Sequence, residues 1–176
     1  MKILVLTGSP RRKGNSNYLA DSFIKGAEEA GHNVVRFDSA FKKVNPCIAC
    51  NKCHMSGSCI FDDDFKTVID NLIDADAVVF VSPVYYFSIS AQLKKVIDRF
   101  YAADEKIHTP KKAILLITLG TPDKRTEEAV LQHFNTMFNY LNWQNAGYIF
   151  AGGLNKIGAA ENTNYPELAY ELGKNI

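Results

Sequence analysis

The chain lacks an excess of charge of either sign, and it lacks any apolar run long enough to cross a membrane. Its 176 residues include 20 Lys and Arg against 19 Asp and Glu, so the formal net charge is +1. Binding to nucleic acid or to an anionic membrane surface depends on a strong positive field, so we expect neither partner. The apolar runs are much shorter than the roughly 20 residues of a transmembrane helix.

The N-terminus lacks the apolar core of a signal peptide, because Met1 and Lys2 lead directly into a short apolar run. We therefore expect a cytoplasmic protein. Cysteine is also scarce, since only four are present and all of them lie between residues 47 and 59. In the cytoplasm such cysteines are expected to be thiols or metal ligands, not structural disulfides.

Two common nucleotide-binding motifs are missing as well. A P-loop reads G-x-x-x-x-G-K-[ST], whereas here five residues separate Gly8 from Gly14, and Asn15 follows in place of lysine. The dinucleotide fingerprint G-x-G-x-x-G is also absent. These absences disfavour a nucleoside triphosphatase and an ordinary dinucleotide-binding domain. They favour a mononucleotide that carries a single phosphate group.

The chain does contain a polar, basic loop between a predicted buried strand and a predicted helix. This loop runs from Gly8 to Asn17 and follows the apolar residues 3–6. The first N–H groups of a helix lack partners and the helix dipole is positive there, so the junction suits a phosphate. The side chains expected to contact it are Ser9, Arg11, Asn15, Ser16 and Asn17. The alternative is an ordinary turn with solvated basic residues.

Apolar strand candidates alternate with helical patterns along the whole chain. The predicted strands cover residues 2–7, 32–38, 77–81, 113–118 and 147–151. The predicted helices cover residues 15–30, 64–74, 89–102, 125–141 and 165–174. Apolar strands that alternate with helices form a parallel sheet covered on both faces. We therefore predict one α/β domain over residues 1–176, a flavodoxin-like three-layer α/β/α sandwich with a five-stranded parallel sheet of order 2-1-3-4-5.

In such a sheet the ligand lies at the carboxyl ends of strands 1 and 3, where the strand order reverses. The loop after the third strand contains aromatic residues and a proline, which can form an apolar wall against a flat ring. Its residues are Pro83, Val84, Tyr85, Tyr86, Phe87 and Ser88. Thr118 and Gly120 follow the fourth strand as a third wall, where glycine lets the backbone approach closely. The alternative is a plain loop whose aromatic side chains cover the sheet edge.

The four cysteines lie in a long segment without a clear helix or strand, which we predict to be an insertion loop at about residues 40–62. Cys47, Cys50, Cys53 and Cys59 form the spacing C-x2-C-x2-C-x5-C. Three interpretations stay open. The thiolates could bind one [4Fe–4S] cluster, or they could be free or redox-active thiols. They could also hold structural zinc, although zinc ligands usually form two spaced pairs.

The stretch Gly8-Ser9-Pro10-Arg11, followed by Gly14-Asn15-Ser16, resembles the FMN phosphate loop of the flavodoxin-like NAD(P)H-dependent FMN reductase and iron–sulfur flavoprotein families. The resemblance implies an FMN-dependent oxidoreductase that moves electrons from NAD(P)H to a quinone, a flavin or another small acceptor. The chemistry would take place on the flavin, so we name no catalytic acid or base.

The compact cysteine spacing and the acidic residues 62–64 resemble the iron–sulfur flavoproteins. That resemblance implies an alternative function, in which electrons pass between a [4Fe–4S] cluster, FMN and a protein partner such as ferredoxin. A third function class is a flavin- or redox-sensing module that acts through its thiols without turnover. The two families also imply a homodimer or homotetramer, with the cysteine loop and the aromatic residues 85–87 as candidate contacts.

Overall fold

A central β-sheet forms the middle layer of the fold, and the computed structural model describes all of residues 1–176. The strands are β1 (Lys2–Thr7), β2 (Asn33–Asp38), β3 (Ala77–Tyr85), β4 (Ser88–Ile89), β5 (Lys111–Thr118) and β6 (Trp143–Ala151). The α-helices are α1 (Asn15–Glu29), α2 (Lys52–Ser56), α3 (Phe65–Leu72), α4 (Ala91–Ile97), α5 (Asp104–Ile107), α6 (Lys124–Leu141) and α7 (Tyr165–Lys174). Two 3-10 helices cover Asp98–Ala103 and Ala159–Asn162.

Five of the strands are parallel and follow the order β2-β1-β3-β5-β6, which confirms the order predicted for the five-stranded sheet. Strand β1 lies between β2 and β3, so that Leu4 is opposite both Val35 and Val78. The fold is therefore the predicted flavodoxin-like α/β/α sandwich. The sequence pattern does not predict the sixth strand, β4, which is only two residues long and pairs antiparallel with the end of β3.

Side chains of the sheet enter two separate cores, because successive residues of a strand point to opposite faces. On β1, Leu4 and Leu6 belong to the core that includes side chains of α3, α4 and α6. Ile3 and Val5 belong to the core that includes side chains of α1 and α7. Helices thus cover both faces of the sheet, and in such folds the ligand site lies at the carboxyl ends of the strands.

The C-terminal helix α7 packs against α1 at very short range, and two glycines make this contact possible. A Cβ atom on Gly26 would lie 2.1 Å from the carbonyl oxygen of Tyr170. A Cβ atom on Gly173 would lie 2.1 Å from the carbonyl oxygen of Phe23. Any larger residue would push the helices apart. This contact anchors the C-terminal segment, for which the sequence pattern indicates a helix but no role.

Several predicted boundaries are wrong for local reasons. The helix predicted over residues 89–102 begins only at Ala91, because Ser90 Oγ accepts a hydrogen bond from the Leu93 N–H at 3.3 Å and caps the helix. Helix α4 then ends at Ile97, and the chain continues as the first 3-10 helix. The last strand, predicted from residue 147, is longer at its start, because β6 pairs with β5 from Trp143 onward.

Two segments predicted as loops contain regular structure. Residues 83–85 extend β3 and turn back into β4, so the loop predicted after the third strand is a hairpin in which Val84 pairs with Ile89. The cysteine segment at about 40–62 contains the short helix α2.

No helix in the structure is both long enough and apolar enough to span a bilayer.

Candidate functional site

Three of the predicted segments meet in one cavity of about 200 Å³ at the carboxyl ends of β1, β3 and β5. The predicted site residues that line it are Ser9, Arg11, Asn15, Ser16, Pro83, Val84, Tyr85, Thr118 and Gly120. The parallel sheet brings them together because the carboxyl ends of its strands share one edge. The cavity is also lined by Leu154, Asn155 and Ile157, which follow β6 and for which the sequence predicts no role.

The loop between β1 and α1 contains a backbone position that only glycine fits. The Gly8 N–H donates to the Val81 carbonyl at 2.8 Å, and the Gly8 carbonyl accepts from Ser90 Oγ at 2.8 Å. A Cβ atom on Gly8 would lie 2.3 Å from Ser90 Oγ and 2.7 Å from Leu93 Cβ. The loop is therefore held tightly against β3 and the start of α4.

Helix α1 begins without a side-chain cap, which leaves its first N–H groups available to a ligand. Its N-cap residue is Gly14, and no side chain accepts from the first turn. Ser9 and Ser16 are buried, and both line the cavity beside these groups. Arg11 is the one charged residue among those that line the cavity. An uncapped helix N-terminus, two hydroxyl groups and a guanidinium group form a donor set that suits a phosphate.

Asn17 does not line the cavity but supports the loop that does. Its Nδ2 donates to the carbonyl oxygens of Arg11 at 2.8 Å and Arg12 at 3.3 Å. Its Oδ1 accepts from Arg36 Nη2 at 3.1 Å, and Arg36 Nε donates to Asp38 at 2.8 Å. Arg36 lies on β2, far from the loop in sequence, and belongs to no motif, so the sequence pattern does not predict this role.

The wall formed after β5 contacts the loop on one side and the chain after β6 on the other. The hydroxyl oxygens of Ser16 and Thr118 are 2.7 Å apart in a buried hydrogen bond. A Cβ atom on Gly120 would lie 2.6 Å from Asn155 Oδ1, so the predicted close approach at this glycine involves the chain after β6. The cavity is therefore closed on this side by residues from the C-terminal part of the chain.

Asn15 holds the chain after β6 in place through both the Nδ2 and the Oδ1 of its side chain. Its Nδ2 donates to the carbonyl oxygens of Leu154 at 3.1 Å and Lys156 at 2.8 Å. Its Oδ1 accepts from the Ala160 N–H at 3.2 Å. One wall of the cavity thus depends on a side chain from the opposite loop.

The β3–β4 hairpin projects beside the cavity, and its turn has an unusual composition. Tyr86 and Phe87 occupy the two turn positions with φ of 47° and 65°, a pattern typical of a type I′ turn, which usually contains Asn-Gly. Tyr86 is 98% exposed and Phe87 is 69% exposed. Both line a second cavity of about 370 Å³, which shares Val84, Leu119 and Gly120 with the first. Ser88 lies on β4 and lines neither cavity.

All four cysteines line a separate cavity of about 330 Å³ whose walls are mostly apolar. Cys47 and Cys50 are exposed, whereas Cys53 and Cys59 are half-buried. The loop turns sharply through positive φ at Ala49 and Asn51. No three His, Cys, Asp or Glu side chains are gathered as a preformed metal site. The thiols therefore share a cavity without converging on one point.

A buried ion pair lies beside the cysteine segment. Arg99 Nη1 donates to the two carboxylate oxygens of Asp63 at 2.8 and 2.7 Å, and the side chains are 2% and 1% exposed. Burial raises the pKa of Asp63, but hydrogen bonds from Arg99 and Asn45 outweigh that effect and hold the pKa below its ordinary value. Arg99 Nη2 also donates to Cys59 Sγ at 3.1 Å. Arg99 belongs to no sequence motif, so the pattern does not predict its role.

The chain resembles known proteins of one family. Residues 1–153 match the model of the NADPH-dependent FMN reductases. An iron–sulfur flavoprotein from Methanocaldococcus jannaschii is 30% identical over 138 residues, which cover 78% of this chain and 72% of that protein. An iron–sulfur flavoprotein from Archaeoglobus fulgidus is 37% identical over 99 residues, which cover 56% of this chain and only 45% of that protein.

Solved structures share the fold at lower sequence identity. An NAD(P)H:quinone oxidoreductase from Methanothermobacter marburgensis superposes with a TM-score of 0.76 at 19% identity, over 99% of this chain and 95% of that one. The azoreductase AzrA superposes with a TM-score of 0.78 at 20% identity, over the whole of both chains. These likenesses describe the architecture and not the substrate.

Replacing Asn15 with Ala removes three hydrogen bonds to the segment after β6. We expect the free energy of local opening of residues 154–160 to fall by about 1–3 kcal/mol, because backbone groups there lose their hydrogen-bond partners. Native-state hydrogen exchange at the Ala160 amide measures this change directly. Ser22→Ala on the same helix, which removes a single bond to the Tyr18 carbonyl, is the control. Unchanged exchange at Ala160 in the Asn15 variant would show that the amide group does not hold this wall.

Proposed function

Because the chain belongs to the NADPH-dependent FMN reductase family, we propose that the cavity of about 200 Å³ binds FMN and that the protein transfers electrons from NAD(P)H to a small acceptor. The observation that carries this proposal is the uncapped N-terminus of α1 beside Arg11 and two buried serine hydroxyl groups. When bound, FMN supplies the two-electron redox chemistry, and the chain's own residues bind and orient it.

The phosphate end of the site is assigned to the loop between β1 and α1. Ser9, Arg11 and Ser16 donate to phosphate oxygens together with the free N–H groups of α1. Asn15 contributes by holding the chain after β6 against this loop. Asn17 does not contact the phosphate itself but holds the backbone of Arg11 in place through a hydrogen bond to its carbonyl. Positive charge and fixed donors thus coincide where the phosphate binds.

The ring end of the site is assigned to the chain after β3 and β5. Pro83, Val84 and Tyr85 form an apolar wall for a flat ring, and Thr118 and Gly120 line the other side. The adjoining cavity of about 370 Å³ shares two of these residues and carries exposed aromatic rings. We propose that the nicotinamide and the acceptor enter there, because a quinone or a flavin is flat and stacks on aromatic side chains.

Removal of the Arg11 guanidinium tests the phosphate assignment. We expect Arg11→Ala to weaken FMN binding about tenfold, which is the loss of one charge-assisted hydrogen bond at an exposed position. Titration of the apoprotein with FMN, followed by flavin fluorescence, measures the dissociation constant. Arg12→Ala is the matched control, because Arg12 carries the same charge but does not line the cavity. Its Cζ lies 3.9 Å from the ring centre of Phe41, on which it stacks.

Two results would count against this assignment. Equal weakening by the Arg11 and Arg12 variants would mean that only the net charge of the loop matters. Tight FMN binding by the double variant Arg11→Ala with Ser16→Ala would remove the loop from the site. Reduction of bound flavin by NADPH or NADH under anaerobic conditions then tests the donor.

A second candidate function is favoured by the cavity that all four cysteines line. Four cysteine thiolates are the usual ligand set of a [4Fe–4S] cluster, and a single loop can supply them at this spacing. Cys47, Cys50, Cys53 and Cys59 would hold the cluster, which when bound supplies one-electron transfer. Under this proposal the protein exchanges electrons between the cluster, FMN and a protein partner such as ferredoxin.

Iron content of protein purified without oxygen tests the cluster. We expect Cys50→Ser to abolish the iron content, because a site of four ligands loses one thiolate. Ser58→Ala, a non-ligand change in the same segment, should retain the iron of the unaltered protein. Iron in both variants would exclude Cys50 from the ligand set. Zinc in elemental analysis of the unaltered protein would favour a structural site, and no metal would favour free thiols.

We also propose that the protein forms a homodimer or homotetramer through the β3–β4 hairpin. The rings of Tyr86 and Phe87 are exposed on a turn that disfavours such residues, and both features are typical of contact surfaces. A partner subunit that covers these rings would also bring its own surface to the mouth of the proposed flavin site. Residues from two chains would then form that mouth.

The double variant Tyr86→Asn with Phe87→Gly tests this contact. It replaces the aromatic turn with the sequence that a type I′ turn prefers, so the hairpin is retained while both rings are lost. We expect the mass in sedimentation equilibrium to fall from dimer to monomer, or from tetramer to a smaller species. Tyr148→Ser, which removes an exposed ring elsewhere, should leave the mass unchanged. An oligomer of unchanged mass in the hairpin variant would place the interface on another surface.

A further inference from the structure

Arg99 is buried in a way that the proposed flavin site does not explain. It does not line the cavity assigned to FMN. Its ion pair with Asp63 is almost completely removed from solvent, and its Nε has no hydrogen-bond partner. A buried ion pair and an unpartnered buried donor both cost free energy relative to an apolar core. The stability of the core therefore does not account for this ion pair.

The ion pair joins both ends of the cysteine segment. Asn45 precedes Cys47, and its backbone N–H and side-chain amide donate to Asp63 at 2.9 and 3.0 Å. The Asn45 carbonyl accepts from Arg99 Nη1 at 3.3 Å. Asp63 follows Cys59 and begins the turn into α3 by accepting from the Phe65 N–H at 3.2 Å. One carboxylate and one guanidinium group therefore close the loop that carries the thiols.

The same guanidinium group fixes the position of Cys59. One arm, Nη1, contacts Asp63, and the other arm, Nη2, donates to Cys59 Sγ at 3.1 Å. Because the guanidinium group is planar and rigid, fixing the first arm on Asp63 also fixes the direction of the second. Its Cζ lies 4.3 Å from the ring centre of Phe65 and 5.3 Å from that of Phe61, and these contacts further restrict its plane.

Cys59 is the cysteine that most needs such support. The other three follow one another at two-residue intervals, whereas five residues separate Cys53 from Cys59. The second half of helix α2 and the positive φ of Gly57 lie within that interval, so Cys59 is not on the same continuous turn of chain as the other three. Arg99 contacts Cys59 from outside the loop.

We propose that Arg99 is a positioning residue for the cysteine site. It holds Cys59 as the fourth ligand of a [4Fe–4S] cluster and, through the hydrogen bond to Sγ, raises the reduction potential of that cluster. This inference rests on the second candidate function above. A cationic donor at a ligand sulfur stabilises the more negatively charged, reduced state, and hydrogen bonds to the sulfurs are among the factors that set such potentials.

Arg99→Lys tests the inference, because lysine keeps the charge beside Asp63 but has no second arm for Cys59. We expect iron retention against a chelator to weaken roughly 10–100-fold, as is typical when a partner of a metal ligand is lost. The midpoint potential of the remaining cluster should shift to a lower value. FMN affinity should stay unchanged, which reports that the sheet and the flavin site are intact.

Asn45→Ala separates positioning from a general structural role. It removes one hydrogen bond from Asp63 but leaves the Arg99 donor to Cys59 in place. We expect no shift in the midpoint potential of this variant. If Asn45→Ala and Arg99→Lys shift the potential equally, or if neither shifts it, Arg99 only stabilises the loop and the inference is overturned.

The unaltered protein distinguishes this inference from the function on which it rests. If it binds no iron after anaerobic reconstitution, the cluster proposal fails and the role of Arg99 fails with it. If it binds iron and Arg99→Lys retains iron and potential, only the inference fails. Should Arg99→Lys not fold, pulsed EPR of the unaltered protein containing ¹⁵N-labelled arginine gives the answer. A ¹⁵N coupling to the reduced cluster supports the contact, and its absence overturns it.

Discussion

The arrangement of the proposed flavin site depends on the buried hydroxyl group of Ser90. This group donates to the Gly8 carbonyl at 2.8 Å and accepts from the Leu93 N–H at 3.3 Å, while the Ser90 N–H donates to Ser82 Oγ at 2.9 Å. One small residue therefore connects the loop after β1, the end of β3 and the start of α4. Because these three parts form or support the walls of the cavity, their relative positions are fixed before any ligand binds. A cavity whose walls are already ordered avoids the entropic cost of ordering them on binding.

The two candidate sites differ in how the fold supports them. The cavity assigned to FMN lies at the ends of central strands, and its polar residues are held by buried contacts such as that of Ser16 with Thr118. The cysteine segment lies outside the sheet, and its two ends are tied to the body of the protein by the Asp63–Arg99 pair. Two of its thiols are exposed and the four do not converge. Metal binding to such a loop would be coupled to its ordering.

The β3–β4 hairpin is the place where local preference and structure disagree most clearly. Tyr86 and Phe87 adopt positive φ, which costs free energy for bulky residues, and they expose large apolar rings. Conflicts of this kind are expected at functional surfaces, where another interaction compensates for the local cost. Here the compensation would come from a partner subunit or from a flat ligand at the mouth of the site.

The sequence by itself determined the elements that depend on short stretches of chain. Apolar runs alternating with amphipathic helices predict the five parallel strands, because strand burial and helix periodicity are local patterns. Their order follows from the general rule for a flavodoxin-like sheet. The segments that line the cavity could also be identified, since the ligand position in this fold follows from the strand order. The cysteine spacing indicated one loop site but left cluster, zinc and free thiols open.

Only the tertiary structure decided the contacts between residues far apart in sequence. Arg36 supports the loop from another strand, Arg99 reaches Cys59 from the first 3-10 helix, and Asn15 holds the chain after β6. Arg36 and Arg99 belong to no local motif, and the loop motif that contains Asn15 does not reveal its contact with the chain after β6. Asn17 belongs to the predicted loop, but its supporting role follows only from the Arg11 carbonyl and Arg36 that lie within reach. Such roles follow from distances across the folded chain, and a linear pattern does not encode those distances.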